Sequence, residues 1–410
     1  MRVHSIHSSV TKLVTFVAPL LILWLNFYLS WPLLQLGNIG ASSNFGDLLI
    51  TLSNVDCYRE IGFDVYSDSN TGYCGNYIYG RELLQIFSKL PIYPKDFQLI
   101  GTLAILLFGI ISGIFCVLVI QVKAAKIFFA IFLITSPGTF LLLERGNVDV
   151  LIIIGVFFVS FLMSKNHSFL SILLLSILTV FKFYTLPLLA ILVVSQPAGK
   201  QRVFGYVSLV STSLLSFRSI SLIQAEFPEG GYNQFGLNII GNYLRKGLNL
   251  EVSHLQGRLI GYISFIALIL ALRYLIGKKS LASHLVLENK QVNLFGLYSI
   301  LIFLTCYVAG LSYDYRLSFL IFGSLWILNT LTLERTFQLI LQTLMAIACW
   351  CSTSLGAAFF PKNDFWQRYF VMGPQALGDL AIWILAGFFC IVILENIKAH
   401  LRLQLKKSEI

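Results

Sequence analysis

The feature that most constrains this chain is its repeated use of apolar runs, about 17 to 25 residues long and nearly free of charge, parted by short polar breaks. A helix of that length crosses a hydrocarbon core of roughly 30 Å, and within such a core only helices and closed barrels satisfy their own backbone hydrogen bonds. Composition agrees. Charged residues make up 12% of the 410 positions, against about 25% in ordinary globular chains, and hydrophobic residues 57%. Too little polar surface is left to cover soluble domains. The expected fold class is all-α, a polytopic transmembrane helical bundle forming a single integral-membrane domain over 1–410. The formal net charge of +10 does not point to nucleic acid, because the basic residues stand between apolar runs and in a short tail rather than in a folded basic domain.

The first run, from Leu13 to Leu34, follows Arg2 and Lys12 and is longer than the apolar core of a cleaved signal peptide, so it reads as a retained signal anchor with a cytoplasmic N-terminus. Further segments are expected near 97–121, 127–143, 150–164, 168–181, 183–195, 203–222, 258–276, 293–311, 317–333, 337–360 and 378–395, making twelve with both termini inside. The stretch 168–195, with Lys182 in its middle, decides the orientation of everything after it. Split in two, it leaves 16 Lys/Arg and 4 Asp/Glu on the inner side against 13 and 15 on the outer, as the positive-inside rule requires. Merged into one helix, it would carry Lys200, Arg202, Lys278, Lys279 and the tail residues Lys398, Arg402, Lys406 and Lys407 outside. The split is preferred. It leaves two large extracytoplasmic loops, 36–96 and 223–257, a third over 361–377, and a basic cytoplasmic tail at 396–410. Within the second loop, 236–250 spaces apolar and polar residues as an interfacial helix does, or as one that packs on the bundle.

Several chemistries lack their usual support. The six histidines are scattered with no metal-ligand spacing, and there is no HExxH, GxxxxGK[ST], GxGxxG or GxSxG pattern. No cofactor is indicated, and a metal requirement is undefined. Of seven cysteines, five lie in expected spans, while Cys57 and Cys74 share the first outer loop and are candidates for a disulfide.

Three short clusters carry ionisable groups at span ends, where each costs on the order of a few kcal/mol unless paired or functional. They are ERGNVD (Glu144, Arg145, Asn147, Asp149), FKFYTLP (Lys182, Tyr184, Pro187) and SYDYRLS (Asp314, Tyr315, Arg316). All three fall on the outer side with the acidic first loop, which holds Asp47, Asp56, Asp64 and Asp68. Singly, each reads equally as a salt-bridged helix end. Together they suggest a shared polar cavity. Arg145, Lys182 and Arg316 would there hold the phosphate of a lipid-borne donor and stabilise it as a leaving group, while a carboxylate takes the proton of an attacking hydroxyl. Tyr66, Tyr73, Tyr77 and Tyr79 suit a sugar face, and equally a membrane interface.

At these residues the chain resembles the polytopic glycosyltransferases of the GT-C superfamily, and most of all glycosyltransferase family 87, which includes polyprenyl-phosphate-mannose-dependent mannosyltransferases. The resemblance rests on the ERGN motif, the K-F-Y-x-x-P pattern at Lys182 and the D-Y-R pattern at Asp314, after an acidic first loop. In that superfamily a D-L motif in the first loop carries the catalytic Asp, which implies Asp47 in FGDLL, with Asp64 in GFDVY as second candidate. The resemblance thus implies a multi-pass transferase of the cell envelope, moving a hexose such as mannose from a polyprenyl-phosphate donor to a lipid or glycan acceptor outside the cytoplasmic membrane. Its partners would be these two substrates and membrane lipids. The alternatives are a transporter or flippase of a lipid-linked sugar, and a glycan polymerase or ligase.

Overall fold

A computed structural model describes residues 2–28, 45–61, 74, 79–119, 124–197, 199–222, 234–237, 240, 243–244, 250–276, 290–308, 312–313, 316–330, 334–352 and 373–408. Apart from one two-residue antiparallel pair, the regular structure of these residues is helical. The chain divides into two compact units, the first of Met1–Thr135 and Thr139–Phe227, the second of Ser136–Gly138 and Pro228–Ile410.

The first unit runs α1 (Arg2–Tyr28), α2 (Gly46–Ile61), α3 (Arg81–Ser88), a 3-10 turn Pro94–Asp96, α4 (Phe97–Val119), α5 (Ala124–Ile134), α6 (Pro137–Arg145), α7 (Asp149–Ser164), α8 (Ser168–Phe181), a second 3-10 turn Phe183–Thr185, α9 (Leu186–Val194) and α10 (Lys200–Leu222). α1 packs closely against α4, and the cause is visible in sequence. Gly109 and Gly113 of α4 stand four residues apart on one face, and a Cβ at either would lie 2.6 Å or less from Leu20 or Phe16 of α1. Small residues at that spacing let two backbones approach, which is how helices associate in lipid.

The expected span over 127–143 is instead two helices, α5 and α6, bent by 44° at Pro137. Proline opens a helix well but cannot continue one, so the apolar run is cut where it stands. The stretch 168–195 is likewise two helices. Lys182 is extended (φ −145°, ψ 103°), and the turn Phe183–Thr185 follows before Pro187 starts α9. Thr179 and Thr185 close the break with hydroxyl oxygens 2.8 Å apart, and Thr185 Oγ1 also donates to the Lys182 carbonyl at 3.1 Å.

The segment 36–96, where only a loop was expected, contains the two helices α2 and α3. Val55 of α2 and Leu83 and Leu84 of α3 are buried together with Tyr79 and Val148, and Phe181 packs against them. This small core seats the loop on the ends of α7 and α8. Cys57 and Cys74 form a disulfide with Cα atoms 6.1 Å apart. Arg59 donates to the carbonyls of Phe87, Ser88, Leu90 and Ile92 while pairing with Asp56 at 2.8 Å, so one guanidinium of α2 ties down the end of α3 and the residues that follow it.

The second unit runs β1 (Gln234–Phe235), α11 (His254–Ile276), α12 (Lys290–Val308), β2 (Ser312–Tyr313), α13 (Leu317–Thr330), α14 (Arg335–Cys351) and α15 (Gly373–Ser408). Gln234 pairs with Tyr313 and Phe235 with Ser312. Its core stacks Phe303 and Tyr307 of α12 with Phe388 and Phe389 of α15. Trp326 Nε1 donates to Asn293 Oδ1 at 2.7 Å, which satisfies two polar groups inside it.

Among the described residues, four helices are long and apolar enough to cross a membrane: Pro94–Val119, Leu255–Ile276, Gln291–Val308 and Gly373–Lys398. The bent pair of α5 and α6 makes a fifth if taken as one span. Thr11–Leu25, Asp149–Ser164, Ser168–Phe181, Phe183–Val194 and Leu317–Thr330 are apolar but shorter.

Candidate functional site

The ERGNVD cluster is a helix end, a turn and a helix start. α6 closes at Arg145, and Gly146 takes the left-handed conformation (φ +59°). The Gly146 N–H donates to the Leu143 carbonyl at 3.1 Å and the Asn147 N–H to that of Leu142 at 3.3 Å, the pattern by which glycine ends helices. Asn147 Oδ1 then accepts the Asp149 N–H at 3.1 Å at the start of α7. Four residues thus place a guanidinium in the last turn of α6, an amide just beyond it and a carboxylate in the first turn of α7.

FGDLL is the start of α2. Phe45 is left-handed (φ 63°), which a bulky residue adopts only under constraint. The constraint is double: its N–H donates to the Glu144 carbonyl at 2.5 Å, and its side chain is buried. Asp47 follows in the first turn of α2, where the helix dipole stabilises negative charge.

These segments meet around Asp47. Arg145 Nη2 lies 2.5 Å from Asp47 Oδ1, and Asn147 Nδ2 donates to Asp47 Oδ2 at 2.8 Å. Asn147 Nδ2 also lies 3.5 Å from the Tyr79 hydroxyl. Beneath this pair is a second. Lys182 Nζ is 3.2 Å from Asp149 Oδ1, which also accepts the Tyr184 hydroxyl at 2.7 Å, and the ammonium stands 4.3 Å above the Tyr79 ring. Exposure separates the two pairs. The side chains of Arg145 and Asp47 are 27% and 16% exposed, those of Lys182 and Asp149 8% and 0%. The upper pair can be reached from solvent. The lower is an interior ion pair with aromatic cover.

Of the residues singled out in sequence, the structure brings together Asp47, Arg145, Asn147, Asp149, Lys182 and Tyr184. Glu144 is half-buried beside them and contributes its carbonyl to Phe45. Arg316 belongs to the second unit, half-buried immediately before α13. Asp64, Asp314, Tyr66, Tyr73 and Tyr77 lie outside the described residues. Tyr79 stands apart from the other loop tyrosines because it bridges the two pairs; Gly80-Arg81, opening α3 directly after it, is the only local signal. Arg59 carries no motif at all. No group of His, Cys, Asp and Glu among the described residues could hold a metal ion.

Fold and site together define a helical membrane protein with a paired charge cluster at the helix ends beneath its first loop. Compared with protein-family models, curated proteins and solved structures, the chain matches none.

Proposed function

We propose that this chain is a membrane glycosyltransferase of GT-C type, transferring a hexose from a polyprenyl-phosphate donor to a lipid or glycan acceptor on the outer side of the cytoplasmic membrane, within a twelve-segment topology whose termini are both inside. The observation that carries the reading is the approach of Arg145 and Asn147 to Asp47, three polar side chains from segments 100 residues apart, at a solvent-reachable helix end.

In this reading the donor phosphate competes with Asp47 for the Arg145 guanidinium, which binds phosphate in the same forked geometry as a carboxylate. The acceptor oxygen attacks the anomeric carbon, the bond from that carbon to the phosphate oxygen breaks, and polyprenyl phosphate leaves with its charge held by Arg145. The acceptor's proton passes to Asp47, still held by Asn147. Lys182 supports the site from below. Its ammonium is engaged by Asp149, so it fixes Tyr79 rather than meeting the donor first.

The test is to incubate the full-length protein with a panel of labelled polyprenyl-phosphate hexoses and envelope lipid acceptors. A new labelled glycoconjugate with release of polyprenyl phosphate supports the reading. Movement of intact donor across a proteoliposome bilayer without bond cleavage would replace it with a flippase.

A further inference from the structure

Nine buried side-chain atoms among the described residues have no hydrogen-bond partner, and seven of them are serine or threonine hydroxyls, which a small rotation can turn toward a backbone carbonyl. The other two are Asp379 Oδ1 and Trp383 Nε1. They are four residues apart on α15, hence on neighbouring turns of one helix face. One is an acceptor and the other a donor. Unpaired buried groups of this kind are destabilising and call for a physical explanation.

The surroundings describe what would satisfy both. Asp379 is 6% exposed, and its second oxygen already accepts the Tyr243 hydroxyl at 2.8 Å, so the carboxyl group is held with Oδ1 left over. Trp383 is only partly buried and sits at the border of the helix face that carries Leu377 and Leu380, which are 59% and 48% exposed. A hydroxyl group both donates and accepts, so it is the chemistry that an acceptor such as Oδ1 and a donor such as Nε1–H share, and an indole offers a flat face to a sugar or polyol ring. The apolar strip next to it suits an alkyl tail.

We propose that Asp379 and Trp383, with Tyr243 as anchor, form a binding site in the second unit for the hydroxyl-bearing headgroup of a sugar or polyol amphiphile. The site stands on its own residues and does not depend on the transfer reaction proposed above.

The experiment measures binding of radiolabelled octyl β-D-glucoside, below its micelle concentration, to the full-length protein held in a phosphocholine detergent. The expected result is a saturable component, displaced by unlabelled glucoside and not by an octyl phosphocholine. Trp383→Phe, which removes the donor and keeps an aromatic ring, and Asp379→Asn, which replaces the carboxyl group and keeps the shape, should each weaken it by about 10-fold. No saturable component in the wild-type protein, or wild-type affinity in both folded variants, overturns the proposal and leaves a buried water as the partner of the two atoms. Because binding alone is read, the outcome is independent of whether the protein transfers sugar.

Discussion

Asn147 Nδ2 donates to Asp47 Oδ2 at 2.8 Å across 100 residues of chain, and the same amide reaches toward the Tyr79 hydroxyl. It touches both the start of α2 and Tyr79 just ahead of α3, so the geometry of the upper site depends on it.

Asp47→Asn should remove the proton acceptor while keeping the shape. Transfer is expected to fall by roughly 10²- to 10⁴-fold. Because the pair with Arg145 is partly solvated, its loss should cost no more than about 1 kcal/mol, so thermal melting should stay near wild type. Wild-type turnover in the folded variant would remove Asp47 from its role and move attention to Asp64.

Lys182→Met or Asp149→Asn alone leaves one charge in the interior without its partner, which typically costs on the order of 3–5 kcal/mol. The double variant should recover much of that loss. Melting curves of the two single variants and the double variant in one detergent give the coupling; additive losses would show that the 3.2 Å pair is not energetically linked.

Gly146→Ala adds a methyl group 3.1 Å from Leu48 Cβ and Phe45 Cβ at a φ of +59°. The left-handed conformation costs an alanine about 1–2 kcal/mol, and Leu48 and Phe45 must shift as well. The expected outcome is a lower melting temperature together with weakened activity, since Arg145 and Asn147 flank the turn. An unchanged melt would show that the turn tolerates a side chain.

Cys57→Ser should destabilise the protein by about 2–4 kcal/mol, through the freedom regained by a short loop in the unfolded chain. Alkylation without reduction, followed by mass spectrometry, should find Cys57 and Cys74 protected and Cys351, which is partly exposed, open to reagent once the protein is denatured.

Sidedness is tested by single cysteines at Lys95 and Lys165, the first in the connection before α4, the second in the turn between α7 and α8. An impermeant thiol reagent applied to intact cells should label the Lys95 probe and not the Lys165 probe. The reverse pattern would invert the topology.

How much of this is legible in the sequence depends on the range of the cause. The break at Lys182 is legible because a cation in mid-run and the positive-inside count both demand it. The helix end at Gly146 is written in ERGN, since glycine is the residue that adopts the left-handed turn. Pro137 marks the bend between α5 and α6, although an apolar run read by hydropathy alone passes straight over it. The pairing of Lys182 with Asp149 rather than with an incoming phosphate is not legible, because both residues read as span ends until packing shows which of their neighbours is buried. Arg59 is beyond sequence reasoning for a related reason: its partners are backbone carbonyls, and every residue has one.

The two oxygens of Asp47 are gripped by different hands, Oδ1 by a charged fork on a flexible three-carbon stem, Oδ2 by a short neutral amide anchored in a rigid turn. Such a grip is lopsided. If the fork swings away, the carboxylate does not fall loose but turns on its amide-held oxygen, as a door turns on one hinge. The oxygen that is uncovered is then always the same one, presented in the same direction. A single left-handed glycine, by setting how far the fork stands from the hinge, gives a carboxyl group that would otherwise be symmetric a fixed edge and a moving one.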